Sequence, residues 1–206
     1  MAWRRRGAKQ RRGTPADLLI VGLANPGSEY AGTRHNVGGD AVEILAARQG
    51  GHLKVESRLR ARLCEVTING ARLALAVPTT FMNESGEAMP SLLDRTGIED
   101  PAHILIVHDE LDLEPGRIQL KVGGGIAGHN GLRSVKAVLK TDAFARLRLG
   151  IGRPPGRGAV VSWVLSRPGA SDRPSIEQAK EAAADAIELV SSLGIASAMS
   201  SVNARG

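Results

Sequence analysis

Two short apolar runs, at residues 18–23 and 104–107, each break off into polar, turn-forming residues, and no other feature constrains the fold so strongly. Runs of this length, apolar without alternation, read as strands buried on both faces, which requires helices above and below the sheet. Residues 59–68 and 72–77 flank Asn69-Gly70, the strongest short hairpin signal, so part of the sheet is antiparallel. Further strands are expected at 117–122, after Glu114-Pro115-Gly116, and at 146–151. Helical spacing of apolar residues predicts helices over 36–49, 84–97 and 132–140. The clearest runs over 175–193, where Ile176, Ala179, Ala183, Ile187 and Val190 share a face. The expectation is one α/β domain over 17–206, with a mixed, mostly parallel sheet flanked by helices.

Aromatic residues make up only 2% of the chain, so the core must be built from Leu, Ile, Val and Ala. Cys64 is the sole cysteine, which rules out an intramolecular disulfide and any multi-cysteine metal site. No apolar stretch approaches membrane-spanning length, and the arginines near the N-terminus precede no signal-like segment. A cytoplasmic monomer is expected.

The net charge of +6 is unevenly distributed. Arg4, Arg5, Arg6, Lys9, Arg11 and Arg12 fall within residues 1–16, which read as a flexible basic arm. Without those six of its 27 basic residues, the chain balances 21 basic against 21 acidic groups. Nine acids lie between residues 84 and 116 against Arg95 alone, whereas nine bases between 117 and 157 face only Asp142. A neutral body with one basic stretch can hold a polyanion at one place. Arg133, Lys136 and Lys140, spaced by three and four, would share a helix face.

Chemistry-bearing residues gather where strands are expected to end. Asn25-Pro26-Gly27 leads to Arg34-His35-Asn36; Phe81-Met82-Asn83 and His108-Asp109-Glu110 follow two other strands. Gly123-Gly124-Gly125 runs on to Gly128-His129-Asn130-Gly131 ahead of a helix. Strand ends are where sites assemble in open α/β sheets. These segments, with Thr33 to Gly38 and Arg148-Leu149-Gly150-Ile151-Gly152-Arg153-Pro154, resemble the bacterial-type peptidyl-tRNA hydrolases in order and spacing over roughly residues 18–165. The resemblance implies hydrolysis of the ester between a peptide and tRNA. It makes His35 the catalytic base and Asp109 its carboxylate partner, with Asn25, Asn83 and Asn130 around the scissile ester. Tyr30, Phe81, Met82 and Asn83 are implied to contact the aminoacyl–adenosine end, and Lys121, Arg133, Lys136 and Arg148 to face tRNA phosphates.

The residue types suit that chemistry by themselves. An ester is already activated, so neither metal nor cofactor nor covalent nucleophile is needed. Histidine, with a reference pKa of about 6.5, can deprotonate an attacking water near neutrality. A carboxylate fixes its tautomer. Asparagine amides can donate to a developing oxyanion without adding positive charge beside the base.

Some positions depart from the family pattern: Ala24, where glycine is usual before Asn25, and the pair Gly39-Asp40, where aromatic or aliphatic residues are typical. The alternative function is a catalytically silent RNA-binding protein on the same scaffold. A further rival comes from Gly123-x-Gly125-x-x-Gly128, a dinucleotide-type pattern between a strand and a helix.

Overall fold

A computed structural model of the chain describes residues 15–154, 156 and 159–205. Among these, seven strands form one sheet: β1 (Leu18–Gly22), β2 (Lys54–Glu56), β3 (Ala61–Ile68), β4 (Ala71–Pro78), β5 (Ile104–Glu110), β6 (Ile118–Val122) and β7 (Ala145–Gly150). Their order is β2-β3-β4-β1-β5-β7-β6. The β4–β1, β1–β5 and β5–β7 pairs are parallel, while β3 and β6 run against their neighbours. The mixed α/β sheet expected from the pattern is thus the one found, with five of its seven strands pointing the same way although parallel and antiparallel pairs are equal in number. β1 lies centrally, and the chain leaves it for β4 on one side and β5 on the other. Crevices form at the carboxyl ends of strands around such a switch point.

The alternation within each strand sorts its residues between two cores. Leu18, Ile20, Leu73, Leu75, Leu105 and Val107 pack under α1 (Val37–Arg48), α5 (Arg173–Leu193) and α6 (Ile195–Arg205). Leu19, Val21, Ala74, Ala76, Ile104 and Ile106 pack against α2 (Met89–Thr96) and α3 (Asn130–Leu139). Among the described residues Phe144 is the one fully buried aromatic of the two cores, Trp163 packs at the margin of the first, and aliphatic side chains make up most of the rest. Fully burying each such side chain contributes about 1.5–3 kcal/mol. At the hairpin, Asn69 and Gly70 both take positive φ, 52° and 83°, as a two-residue turn matching strand twist demands.

The structure corrects several boundaries. His108, Asp109 and Glu110 do not lie in a loop; they continue β5, buried and paired with Arg148, Leu149 and Gly150 of β7. The helix expected over 84–97 is a 3₁₀ segment (Met82–Ala88) that becomes α-helical only at Met89. Pro90 has no N–H to bond the Gly86 carbonyl, so an α-helix cannot extend back through it. The edge strand β2, the short helix α4 (Val160–Val164) and α6 were not anticipated. The basic arm expected over 1–16 lies, as far as residue 14, outside the described residues; the Ala16 N–H already donates to the Thr96 carbonyl at 2.8 Å. No helix among the described residues is long and apolar enough to cross a membrane.

Candidate active site

The carboxyl ends of β1, β4 and β5 meet the turn that enters α1 and the loop that enters α3. Beyond β1, Asn25 is held by its backbone. Its N–H donates to Asn36 Oδ1 at 2.9 Å, and Asn36 Nδ2 donates to its carbonyl at 3.0 Å. Asn25 Oδ1 accepts the Met82 N–H at 2.8 Å. These contacts fix which way the amide points and leave Nδ2 as its donor with no partner among the described residues.

His35 sits in a 3₁₀ turn (Arg34–Asn36) ahead of α1. Buried Arg34 anchors that turn: it donates to Ser166 Oγ at 2.8 Å, to the Arg167 carbonyl at 3.0 Å and to Asp172 at 2.9 Å. Its guanidinium stacks 3.7 Å from the Trp163 ring centroid. The alternation that places Leu105 and Val107 under α1 carries Asp109 to the same face. There Asp109 Oδ1 meets His35 Nδ1 at 2.7 Å. Among the described residues His35 Nε2 has no partner.

The same Asp109 oxygen receives His129 Nε2 at 2.9 Å. His129 also caps α3, its Nδ1 accepting the Leu132 N–H at 3.3 Å. One ring nitrogen thus faces a backbone donor and the other a carboxylate oxygen. Burial alone would push the Asp109 carboxyl up. His129 and His35, by charge and by hydrogen bond, more than offset this and hold it well below the usual carboxylate range. The two histidines thus favour the carboxylate form of Asp109. His108 points its Nδ1 at the Asp109 carbonyl, 2.7 Å away, and its ring lies edge-on to His129. Burial, reinforced by His129 and opposed by Asp109, pushes this imidazole down to about 3.

His35, Asp109 and His129 present ligand-type atoms within 4.8 Å of one another. Both ring nitrogens stand against a single carboxylate oxygen at 2.7 and 2.9 Å. Tetrahedral ligands about 2.0–2.1 Å from zinc would be about 3.4 Å apart. The spacing is that of hydrogen bonds.

The other expected site residues divide. Tyr30 and the half-exposed Phe81 meet edge-on, 6.3 Å between centroids, and Asn83, just beyond Phe81 in the chain, is exposed. The Met82 side chain is turned into the α2–α3 core, so its backbone N–H, not its thioether, serves the site. Asn130 opens α3, exposed, its Oδ1 accepting Arg133 Nη1 at 3.0 Å. Lys121 and Arg133 are exposed. Lys136 pairs with Asp142 at 2.6 Å. Arg148 is not presented to solvent: it pairs with Glu110 at 2.9 Å and bonds Gln119, with only 15% of its side chain exposed.

Buried Arg146 donates to the carbonyls of Gly123 and Gly125, shaping the glycine loop. That loop follows β6, which is antiparallel to β7, so it is not the parallel βαβ crossover a dinucleotide fingerprint requires. Beside Asn25 opens a cleft of ≈ 380 Å³ lined by Ala24, Gly39, Asp40, Arg62, Val77 and Thr79, among others. Two residues were missed from sequence: Asn36, which clamps Asn25, and His129. The His-Asn pair at 129–130 mirrors that at 35–36, a signal that could have exposed both.

These features describe an α/β enzyme with a polar site at the carboxyl edge of its sheet. The family model for peptidyl-tRNA hydrolase matches residues 19–206. Peptidyl-tRNA hydrolase of Legionella pneumophila (strain Paris) is 50% identical over 186 residues, 90% of this chain and 98% of that one. The enzyme of Mycolicibacterium gilvum (strain PYR-GCK) is 46% identical over 187 residues, 91% and 97% of the two chains. The crystal structure of peptidyl-tRNA hydrolase from Acinetobacter baumannii is similar at a TM-score of 0.86 with 39% identity, covering 94% of this chain and 98% of that one. The chain belongs to the peptidyl-tRNA hydrolase family and is a hydrolase of that class.

Proposed function

We propose that the site cleaves the ester joining a peptide, or an N-blocked aminoacyl group, to the terminal ribose of tRNA, without a metal and with His35 as general base. The observation that carries this reading is the 2.7 Å contact between His35 Nδ1 and an ionised Asp109, which leaves Nε2 as the basic nitrogen. Water gives a proton to Nε2 as its oxygen bonds to the ester carbonyl carbon. Asp109 stabilises the imidazolium so formed. The negative charge that develops on the carbonyl oxygen is met by the amides of Asn25 and Asn130, whose own oxygens are occupied by Met82 N–H and Arg133. Collapse breaks the bond to the ribose oxygen, which takes the proton back from His35. The products are a peptide carboxylate and a free ribose hydroxyl.

Tyr30, Phe81 and Asn83 form the surface for the aminoacyl–adenosine end. Lys121 and Arg133, beside the glycine loop and on α3, meet phosphates of the tRNA body. Purified protein is expected to release peptide from peptidyl-tRNA, and His35→Ala to lose on the order of 10²–10⁴-fold in turnover while still binding tRNA. A variant keeping more than a tenth of the turnover would remove His35 from the role of base. Binding of tRNA with no turnover by the unaltered protein would favour the silent RNA-binding alternative.

A further inference from the structure

Gly39 is buried in the first turn of α1, yet its φ is not positive, so the backbone there does not call for glycine. Alanine is the better helix former at such a position. The space is what forbids it. A Cβ at residue 39 would lie 2.7 Å from the Ala24 Cβ, and 3.5 Å from Val77 Cγ1. Gly38, next to it, is hemmed in differently: a Cβ there would strike the Val107 backbone at 2.2 Å, which no change of side chain can relieve. The obstacle at residue 39 is a methyl group, and it belongs to the neighbour of Asn25.

We propose that Ala24 and Gly39 are a complementary pair that positions Asn25, the methyl of one filling the space left by the missing side chain of the other. Two carbons need about 3.5–4.0 Å, so a methyl at residue 39 would push Ala24 away by roughly 1 Å. Ala24 cannot yield alone. The Gly39 N–H donates to the Leu23 carbonyl at 3.1 Å, and Asn36 grips the Asn25 backbone on both sides. Asn25 Oδ1 is tied in turn to the Met82 N–H. Any displacement of residue 24 is therefore passed to Asn25, and a displacement of about 1 Å at a reacting group can cost up to about 10²-fold in rate. The two departures from the family pattern are, on this reading, one feature. The inference rests on Asn25 acting as an oxyanion donor.

The test is a cycle of Gly39→Ala, Ala24→Gly and the double variant, with kcat and KM on peptidyl-tRNA and the thermal midpoint of each. Gly39→Ala is expected to lower kcat by about 10-fold with KM within about 2-fold. The same change made together with Ala24→Gly is expected to cost less than about 3-fold, because the obstructing methyl is gone. Folding of the double variant where Gly39→Ala alone fails to fold would support the pair equally. Equal kcat losses in both backgrounds, no loss in either, an effect on KM alone, or failure to fold in both would overturn it. Asn25→Ala separates the pair from the reading it rests on. If Asn25→Ala retains full turnover, Asn25 is not a donor, whatever the cycle gives. If Asn25→Ala is impaired, adding Gly39→Ala should cost less than about 2-fold more; an undiminished 10-fold loss would mean that residue 39 acts elsewhere.

Discussion

His129 holds Asp109 through the same carboxylate oxygen that His35 uses, at 2.9 Å against 2.7 Å. One oxygen thus joins the turn before α1 to the first residues of α3. The position of the carboxylate depends on both.

His129→Asn is expected to separate these duties. Asparagine can still cap α3 through its side-chain oxygen, but it is too short to replace the imidazole at Asp109. A hydrogen bond to a charged group contributes about 1.5–3 kcal/mol, so turnover should fall roughly 10- to 100-fold with little change in thermal midpoint. Unchanged turnover in steady-state assays would show that His35 alone orients Asp109.

His108 makes the fold sensitive to acid. Its folded pKa of about 3 lies below the 6.5 of an unperturbed imidazole, so between those limits the unfolded chain binds the extra proton. The neutral ring's contribution is fully present above about pH 6.5 and is lost as pH falls towards 3. At pH 5 the cost is about 2 kcal/mol. His108→Asn keeps a donor for the Asp109 carbonyl but does not titrate, so its thermal midpoint should decline less steeply between pH 7 and 4. Parallel melting profiles for the two proteins would assign the acid sensitivity to other groups.

Asn130→Asp is expected to be slower than Asn130→Ala. The aspartate would retain the contact with Arg133 yet place negative charge where the oxyanion forms, whereas alanine leaves room for a water donor. Turnover at saturating substrate above pH 7 gives the order. Equal rates would reduce Asn130 to a holder of the α3 terminus.

Lys121 and Arg148 should behave as opposites although both lie in the basic stretch. Lys121→Ala is expected to weaken cleavage of peptidyl-tRNA and flatten its salt dependence, one phosphate contact being lost. A minimal peptidyl-adenosine ester, lacking the tRNA body, should be affected far less. Arg148→Ala leaves Glu110 buried without its partner, a change that costs about 3–5 kcal/mol, and should lower the thermal midpoint and both activities together. A salt-slope effect of Arg148→Ala with normal stability would return Arg148 to the tRNA-facing surface.

Local sequence alone determined the features whose causes are local. The Asn69-Gly70 turn needs only two residues that tolerate positive φ, and the α5 stripe from Ile176 to Val190 needs only regular spacing. The motif-bearing loops were legible too, because asparagine, histidine and glycine at strand ends stand out against an aliphatic background. Tertiary structure decided what those residues touch. Arg133 and Arg148 look alike in sequence, but one lies on an exposed helix face and the other lies between Glu110 and Gln119. His129 became a partner of Asp109 only when β5 and α3 were brought together, and Gly39 acquired its meaning from Ala24, fifteen residues earlier in the chain. Charge pairing, burial and steric fit act through space between segments that spacing rules treat as independent, and the fold alone sets those distances.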